Sequence, residues 1–204
     1  EFRRVLFRSI RLATTFEGIP SMLIEQFSLL HPHISLTEVN IDPEEIASLL
    51  LNDHIDFALT LSPLEQLEIE ELACIIEPLL LLLPDEMTPK GMPVCLSDYE
   101  QEHFAIFEGG KDSYATILQC CNQAGFVPVI TYRTSRSQRI HELVNKLRVC
   151  SLVPSHMILH NWEQLSEQTR GHLLMVDDPR CHRTIRLYRR RAEYPSDEIR
   201  LFAE

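Results

Sequence analysis

With 45% hydrophobic and 24% charged residues, a chain of 204 residues carries ample apolar surface for a core, and its length suits one large domain or two small lobes. A net charge of −11 excludes nucleic-acid binding through the general field of the chain. The longest apolar run, residues 79–83 between prolines, is far too short to cross a membrane, and no segment reads as a signal peptide. Six cysteines (Cys74, Cys95, Cys120, Cys121, Cys150 and Cys181) form no CxxC pair and no zinc-ligand spacing. Reduced, mostly buried thiols and a cytoplasmic location are therefore expected.

The first nine residues are basic in an acidic chain and without a clear period; they read as vector-derived or damaged sequence and are set aside. Residues 10–14 alternate as a strand. Thr14, Thr15 and Phe16 then lead into an amphipathic helix over 20–30, with Pro20 in its first turn and Leu23, Phe27 and Leu30 on one side. A polar turn between a strand end and a helix start is where open α/β sheets bind small ligands, anionic ones by preference. Pro32 stops that helix, and 34–40 form the next strand. Asp42 as N-cap, Pro43 at N1 and Glu44 and Glu45 behind them start a helix reaching Asn52. The apolar run 55–61 is a buried strand. Residues 10–61 thus make β-α-β-α-β, which implies a parallel sheet.

An acidic link over 64–71 leads to one or two strands in 72–83, broken at Pro78. A proline-rich loop follows over 84–93, then a short helical turn over 97–101 and a strand over 104–107. After a glycine turn at 108–111, Asp112 or Ser113 caps a helix that Gly125 ends. A strand over 127–131, a helix over 138–147 capped by Ser135 or Ser137, and a strand over 149–153 complete a second β-α-β-α-β unit. Beyond it, 161–171 holds a short helix, 173–176 and 184–190 are strands, and Ser196 caps a final helix.

The order of motifs resembles the effector-binding domain of LysR-type transcriptional regulators. The carrying residues are FSLLHP at 27–32, IDFAL at 55–59, the LLLLLPDEMTP stretch, CLSD at 95–98 and LVNKLRVCSLVPS at 143–155. In the last segment two family glycines are absent, and either Leu147 and Val149 or their neighbours Lys146 and Arg148 hold their places. The resemblance implies an α/β fold of two Rossmann-like lobes, each with a central mixed sheet, joined by two hinge-crossing strands, as in type II periplasmic binding proteins. Residues 10–78 and 177–204 would form lobe I and 79–176 lobe II. It implies a winged helix-turn-helix outside this chain through which alone DNA is bound, no cofactor, no membrane, and a homodimer or tetramer whose surface includes the helices 20–30 and 138–147. The function implied is regulation of transcription by a small anionic metabolite bound between the lobes. A free-standing solute-binding protein of a transporter is the alternative.

Carried over position by position, the effector contacts implied are Thr14, Thr15, Phe16, Asn40, Thr60 and Ser62 from lobe I. Lobe II would supply Glu108, Ser113, Tyr114, Thr134, Ser135 and Arg136. Helix capping is the competing role for Ser113, Ser135 and Ser137, and Asp42 reads as a cap. Arg136 or Arg133 would fork a ligand carboxylate. The run Arg186, Arg189, Arg190 and Arg191 reads as a solvated strand face with inter-subunit ion pairs. His156 and His160, four apart, read as surface histidines without a metal, since no HExxH accompanies them. Cys120 and Cys150 fall on apolar faces and read as core. No nucleophile elbow, phosphate loop or paired carboxylates stand out, so an enzyme is not expected.

Overall fold

The computed structural model describes residues 8–16, 18–108, 111–136, 139–157, 172–192, 194 and 196–203. The chain divides into two compact units. The first comprises Glu1–Ile75 with Ile185–Glu204, the second Ile76–Thr184.

In the first unit, β1 (Arg8–Thr14) pairs in parallel with β2 (Ile34–Asn40) and β3 (Phe57–Thr60). Antiparallel pairing of β3 with β9 (His182–Arg190) extends the order to β2-β1-β3-β9. Ile10, Leu12 and Ala13 are all fully buried, as a central strand covered on both faces requires. One face packs beneath α1 (Ile19–Leu30), the other beneath α2 (Pro43–Leu51), where Ile46 and Leu50 are buried. Gly18 stands at the N-cap of α1 with φ 102, a conformation that a side chain would resist. Asp42 is the N-cap of α2 and Pro43 its first residue, as the sequence pattern predicts. The last helix, α5 (Asp197–Ala203), buries Phe202 against Phe57 at 4.6 Å and Phe27 at 5.0 Å. Such aromatic clusters add to area burial alone.

In the second unit, the latter half of β4 (Ile69–Leu82) pairs antiparallel with β7 (Ser151–Pro154) and β8 (Leu173–Met175). A parallel pair, β5 (His103–Phe107) and β6 (Val129–Thr134), carries a register shift at Phe104/Ala105. The period of two along β5 divides the core. Phe104 and Ile106 pack with Ile117, Cys120 and Cys121 of α3 (Lys111–Gln123), while Ala105 and Phe107 pack with Ile140 and Val144 of α4 (Ile140–Leu147).

Several expectations change. Arg8 and Ser9 were set aside, yet they pair with Ile34 and Ser35 and belong to β1, because β2 offers backbone partners that far down. Pro78 does not break β4; the ladder resumes at once, with the Leu79 N–H donating to the Cys181 carbonyl at 3.1 Å. Asp112 and Ser113 lie inside α3 rather than at its cap. Arg139 is the N-cap of α4, not Ser135, because the Thr134 hydroxyl accepts the Arg136 N–H (3.1 Å) and draws 134–136 into a turn; Ser137 lies outside the described residues. The short helix expected over 161–171 and His160 likewise lie outside them. Residues 177–184, expected in lobe I, pack with the second unit, where Asp177 bonds Val94, Cys181 is buried in the α3 core and Arg183 pairs with Glu77.

The missing glycines have a visible consequence. Arg148, the C-cap of α4, adopts φ 54 and ψ 49, the left-handed conformation that costs an L side chain ~1–2 kcal/mol. Glycine takes this conformation freely but loses more chain entropy on folding. Arg148→Gly is therefore expected to raise stability by ~0.5–1 kcal/mol, read as a higher urea midpoint with an unchanged slope; a loss of stability would contradict a strained C-cap.

Candidate functional site

Parallel strands bring their carboxyl ends to one edge, and that is how the first unit gathers its candidates. Thr14 ends β1 beside Asn40, which ends β2, and beside Leu59 of β3, whose last residue is Thr60. Thr14, Thr15 and Thr60 are each only 1% exposed, and Phe16 is buried with the α1 core. Their bonds are structural. The Thr14 hydroxyl donates to Glu38 Oε1 (3.3 Å), the Thr15 N–H to the Leu59 carbonyl (3.2 Å) and the Thr60 hydroxyl to the Ser62 carbonyl (3.1 Å), while Thr60 Oγ1 accepts the Ser62 N–H (3.0 Å). Asn40 is exposed and Ser62 half-buried. The edge therefore offers Asn40 and Ser62 to solvent and uses its threonines to hold the turns in place.

The second unit repeats the arrangement at the ends of β5 and β6. The Glu108 N–H donates to the Thr134 carbonyl at 2.8 Å, locking the two strand ends together. Arg133 lies across them. Its guanidinium donates to Glu108 Oε1 (3.3 Å) and to the Tyr114 hydroxyl (2.9 Å), and sits 4.5 Å from the centre of the Tyr114 ring. Arg133 thus unites Glu108, Tyr114 and Thr134 beside the start of α3. Ser135 and Arg136 are exposed and lie outside this group. Ser113 is buried and faces a pocket that Thr116, Phe107, Pro154 and Arg183 also line.

A family model for the LysR substrate binding domain matches residues 10–204. The chain belongs to that family. This LysR substrate-binding domain is 22% identical over 154 residues to the uncharacterized HTH-type transcriptional regulator YcgK of Bacillus subtilis (strain 168), covering 62% of this chain and 48% of that protein. The chain therefore spans about half the length of this curated relative. Three solved structures share its fold. The effector binding domain of BenM with its effector benzoate superposes with a TM-score of 0.74 at 18% identity, over 96% of this chain and 88% of that one. Full-length CbnR in complex with its target DNA gives 0.75 at 18%, over 95% and 68%. The cofactor-binding domain of the Cbl regulator gives 0.72 at 19%, over 97% and 87%. These likenesses establish the type II periplasmic-binding-protein-like α/β fold. The family is one of regulator ligand-binding domains and not of enzymes, and it does not favour the free-standing transporter protein. No helix among the described residues is long and apolar enough to cross a membrane.

The family reading left several residues out of place, and the domain's geometry corrects them. Of Arg136 and Arg133, the two arginines expected to fork a carboxylate, Arg133 is the one that bridges the strand ends. In the run at 186–191, Arg190 and Arg191 are exposed as expected, whereas Arg186 and Arg189 are half-buried. Arg186 pairs with Glu71 (3.4 Å) and Arg189 with Glu70 (2.6 Å), because β9 runs beside the acidic start of β4, and Arg190 pairs with Asp53 (2.8 Å). His156 is buried rather than at the surface. It donates from both its backbone N–H (2.7 Å) and Nδ1 (2.8 Å) to Glu77 Oε1, while Arg183 Nε donates to Oε2 at 2.7 Å and the Ser155 hydroxyl to Oε1 at 3.2 Å. The same Nδ1 lies 3.1 Å from Arg183 Nη2, so the imidazole sits between the two charged groups. No sequence signal marks this network, because the partners of Glu77 lie 78 to 106 residues from it. Burial in the core pushes the Cys121 and Cys150 thiols up to about 12, which leaves them unreactive.

Burial pushes the Glu77 carboxyl up, but the hydrogen bonds from His156 and the charge of Arg183 outweigh it and hold the group at about 2, below the ordinary 4.5. The folded state therefore binds fewer protons than the unfolded one between these values. Stability from Glu77 is fully present above pH 4.5 and is lost as pH falls toward 2. The expected loss is on the order of 2–4 kcal/mol. In urea unfolding, Glu77→Gln should be less stable than wild type at pH 6 by about 3 kcal/mol and flatter between pH 5 and about 3; parallel pH profiles would show that Glu77 does not carry this dependence.

Proposed function

We propose that this domain is the ligand-sensing part of a longer transcription regulator, and that it responds to a small anionic metabolite. The observation that carries this reading is Arg133, held at the ends of two parallel strands and beside a helix start by Glu108 and Tyr114. A guanidinium there is shaped to fork a carboxylate. Its bond to Glu108 is half-exposed, so it is worth no more than about 1 kcal/mol and is readily exchanged for a ligand carboxylate. The start of α3 adds a favourable field for an anion. Asn40 and Ser62 in the first unit and Tyr114, Thr134 and Ser135 in the second supply further hydrogen bonds. Thr14, Thr15, Phe16 and Thr60 shape the edge, and Arg136 adds positive charge near it.

A ligand shifts a two-state protein only by its difference in affinity for the two states. The effector supplies such a difference by binding one arrangement of the domain better than the other. The change is passed to a DNA-binding region of the longer protein, which works in the cytoplasm as a homodimer or tetramer. Exposed apolar residues on α1, Leu29 at 70% and Leu30 at 73%, suit such association.

The test is a thermal-shift panel of mono- and dicarboxylic acids against their amides. At a hundred times Kd, a bound acid stabilises by about 2.7 kcal/mol, a rise of several degrees. Acids are expected to stabilise and amides not. Arg133→Gln should weaken the best acid ~10–100-fold without lowering the melting temperature of the free protein. Stabilisation by neutral or cationic compounds alone would remove the anionic reading.

A further inference from the structure

The pocket beside the start of α3 holds a polar group that the fold itself does not use. Ser113 is the third residue of a 13-residue helix and 7% exposed, and its hydroxyl finds no hydrogen-bond partner among the described residues. A serine inside a helix ordinarily turns to solvent or bonds the carbonyl one turn back. Thr116 does the latter, donating to the Asp112 carbonyl at 2.9 Å. Ser113 does neither, and a buried hydroxyl left alone is unfavourable, so it calls for an explanation. The first turn of α3, where Ser113 sits, also carries the positive end of the helix dipole.

The walls define what would answer it. Leu79, Phe107, Ile117 and Leu152 present hydrocarbon. The one charged group is Arg183, 4% exposed, and Glu77 already neutralises it through an ion pair of 2.7 Å. A second carboxylate would have to shed its water against hydrocarbon for little added attraction. An uncharged oxygen would not, and the pocket has room for about one water-sized group. Phe107 and Ser113 are each followed directly by a residue of the Arg133 group, Glu108 and Tyr114. Both places therefore belong to the same strand end and the same helix start.

We infer that this pocket is a subsite for a hydroxyl on the apolar end of the effector, held by Ser113 and Arg183, so that the effector is a hydroxy acid. The carboxylate goes to Arg133 and the hydroxyl to Ser113. The inference rests on the anionic reading above and narrows it.

Matched pairs test it on the whole chain by calorimetry: butyrate with 4-hydroxybutyrate, hexanoate with 6-hydroxyhexanoate, and benzoate with 4-hydroxybenzoate. In at least one pair the hydroxy acid is expected to bind tenfold or more tightly than its parent. Ser113→Ala should erase that preference and leave the parent acid unchanged. Because it removes an unmatched buried hydroxyl, this variant should be at least as stable as wild type in urea, so folding does not confound the result. Arg183→Lys provides a second variant, expected to reduce the preference in the same direction. Equal binding within every pair, or an equal loss of both members in Ser113→Ala, overturns the subsite while the anionic reading stands. If no acid binds at millimolar concentration, both fall.

Discussion

A carboxylate with almost no access to water governs this fold. Glu77 is 4% exposed, and it is tolerable there only because four donors converge on it from Arg183, His156 and Ser155. Removing one partner of such a pair strands a charge and costs about 3–5 kcal/mol, whereas the pair itself adds little net stability. What it fixes is position. Glu77 lies on β4 and Arg183 on β9, the two strands that pass from one unit into the other, and the backbone of His156 is drawn onto the same oxygen. Hydrocarbon packing alone would leave those strands free to slide by a residue pair; a directional ion pair does not.

The same economy appears at the strand ends. Each unit closes its parallel strands with bonds between the strand ends. In the first unit the threonines hold the turns, with Asn40 exposed and Ser62 half-buried beside them. In the second, Arg133 is clamped weakly by Glu108 and Tyr114. A weak clamp orients a guanidinium without consuming it, which suits a site that exchanges partners.

What could be read in the sequence was whatever local chemistry decides. Asp42 and Pro43 announce α2, alternation announces β1 and β2, and the long apolar run announces the buried half of β4. The family likeness carried the order of elements beyond that. Long-range partnership was not legible. His156 looks like any surface histidine until Glu77, 79 residues earlier, is placed beside it. The arginines of β9 look solvated until the acids of β4 are laid alongside. Ser113 looks like a cap because serine so often is one, and only burial shows otherwise. At Arg148 the local signal was sound: two absent glycines foretold a strained backbone, and the strain is there.

The insertion of one unit within the other has a consequence for how the chain comes into being. The first unit is completed by β9 and α5, so Phe57 meets Phe202, 145 positions later in the sequence. Loop closure on that scale is slow compared with the local pairings of the second unit. During synthesis β1 to β3 precede the whole second unit, whereas β9 and α5 follow it, so the apolar faces of those three strands wait unsealed. The first unit thus closes late, and during that interval its early strands are the ones most in need of chaperone protection.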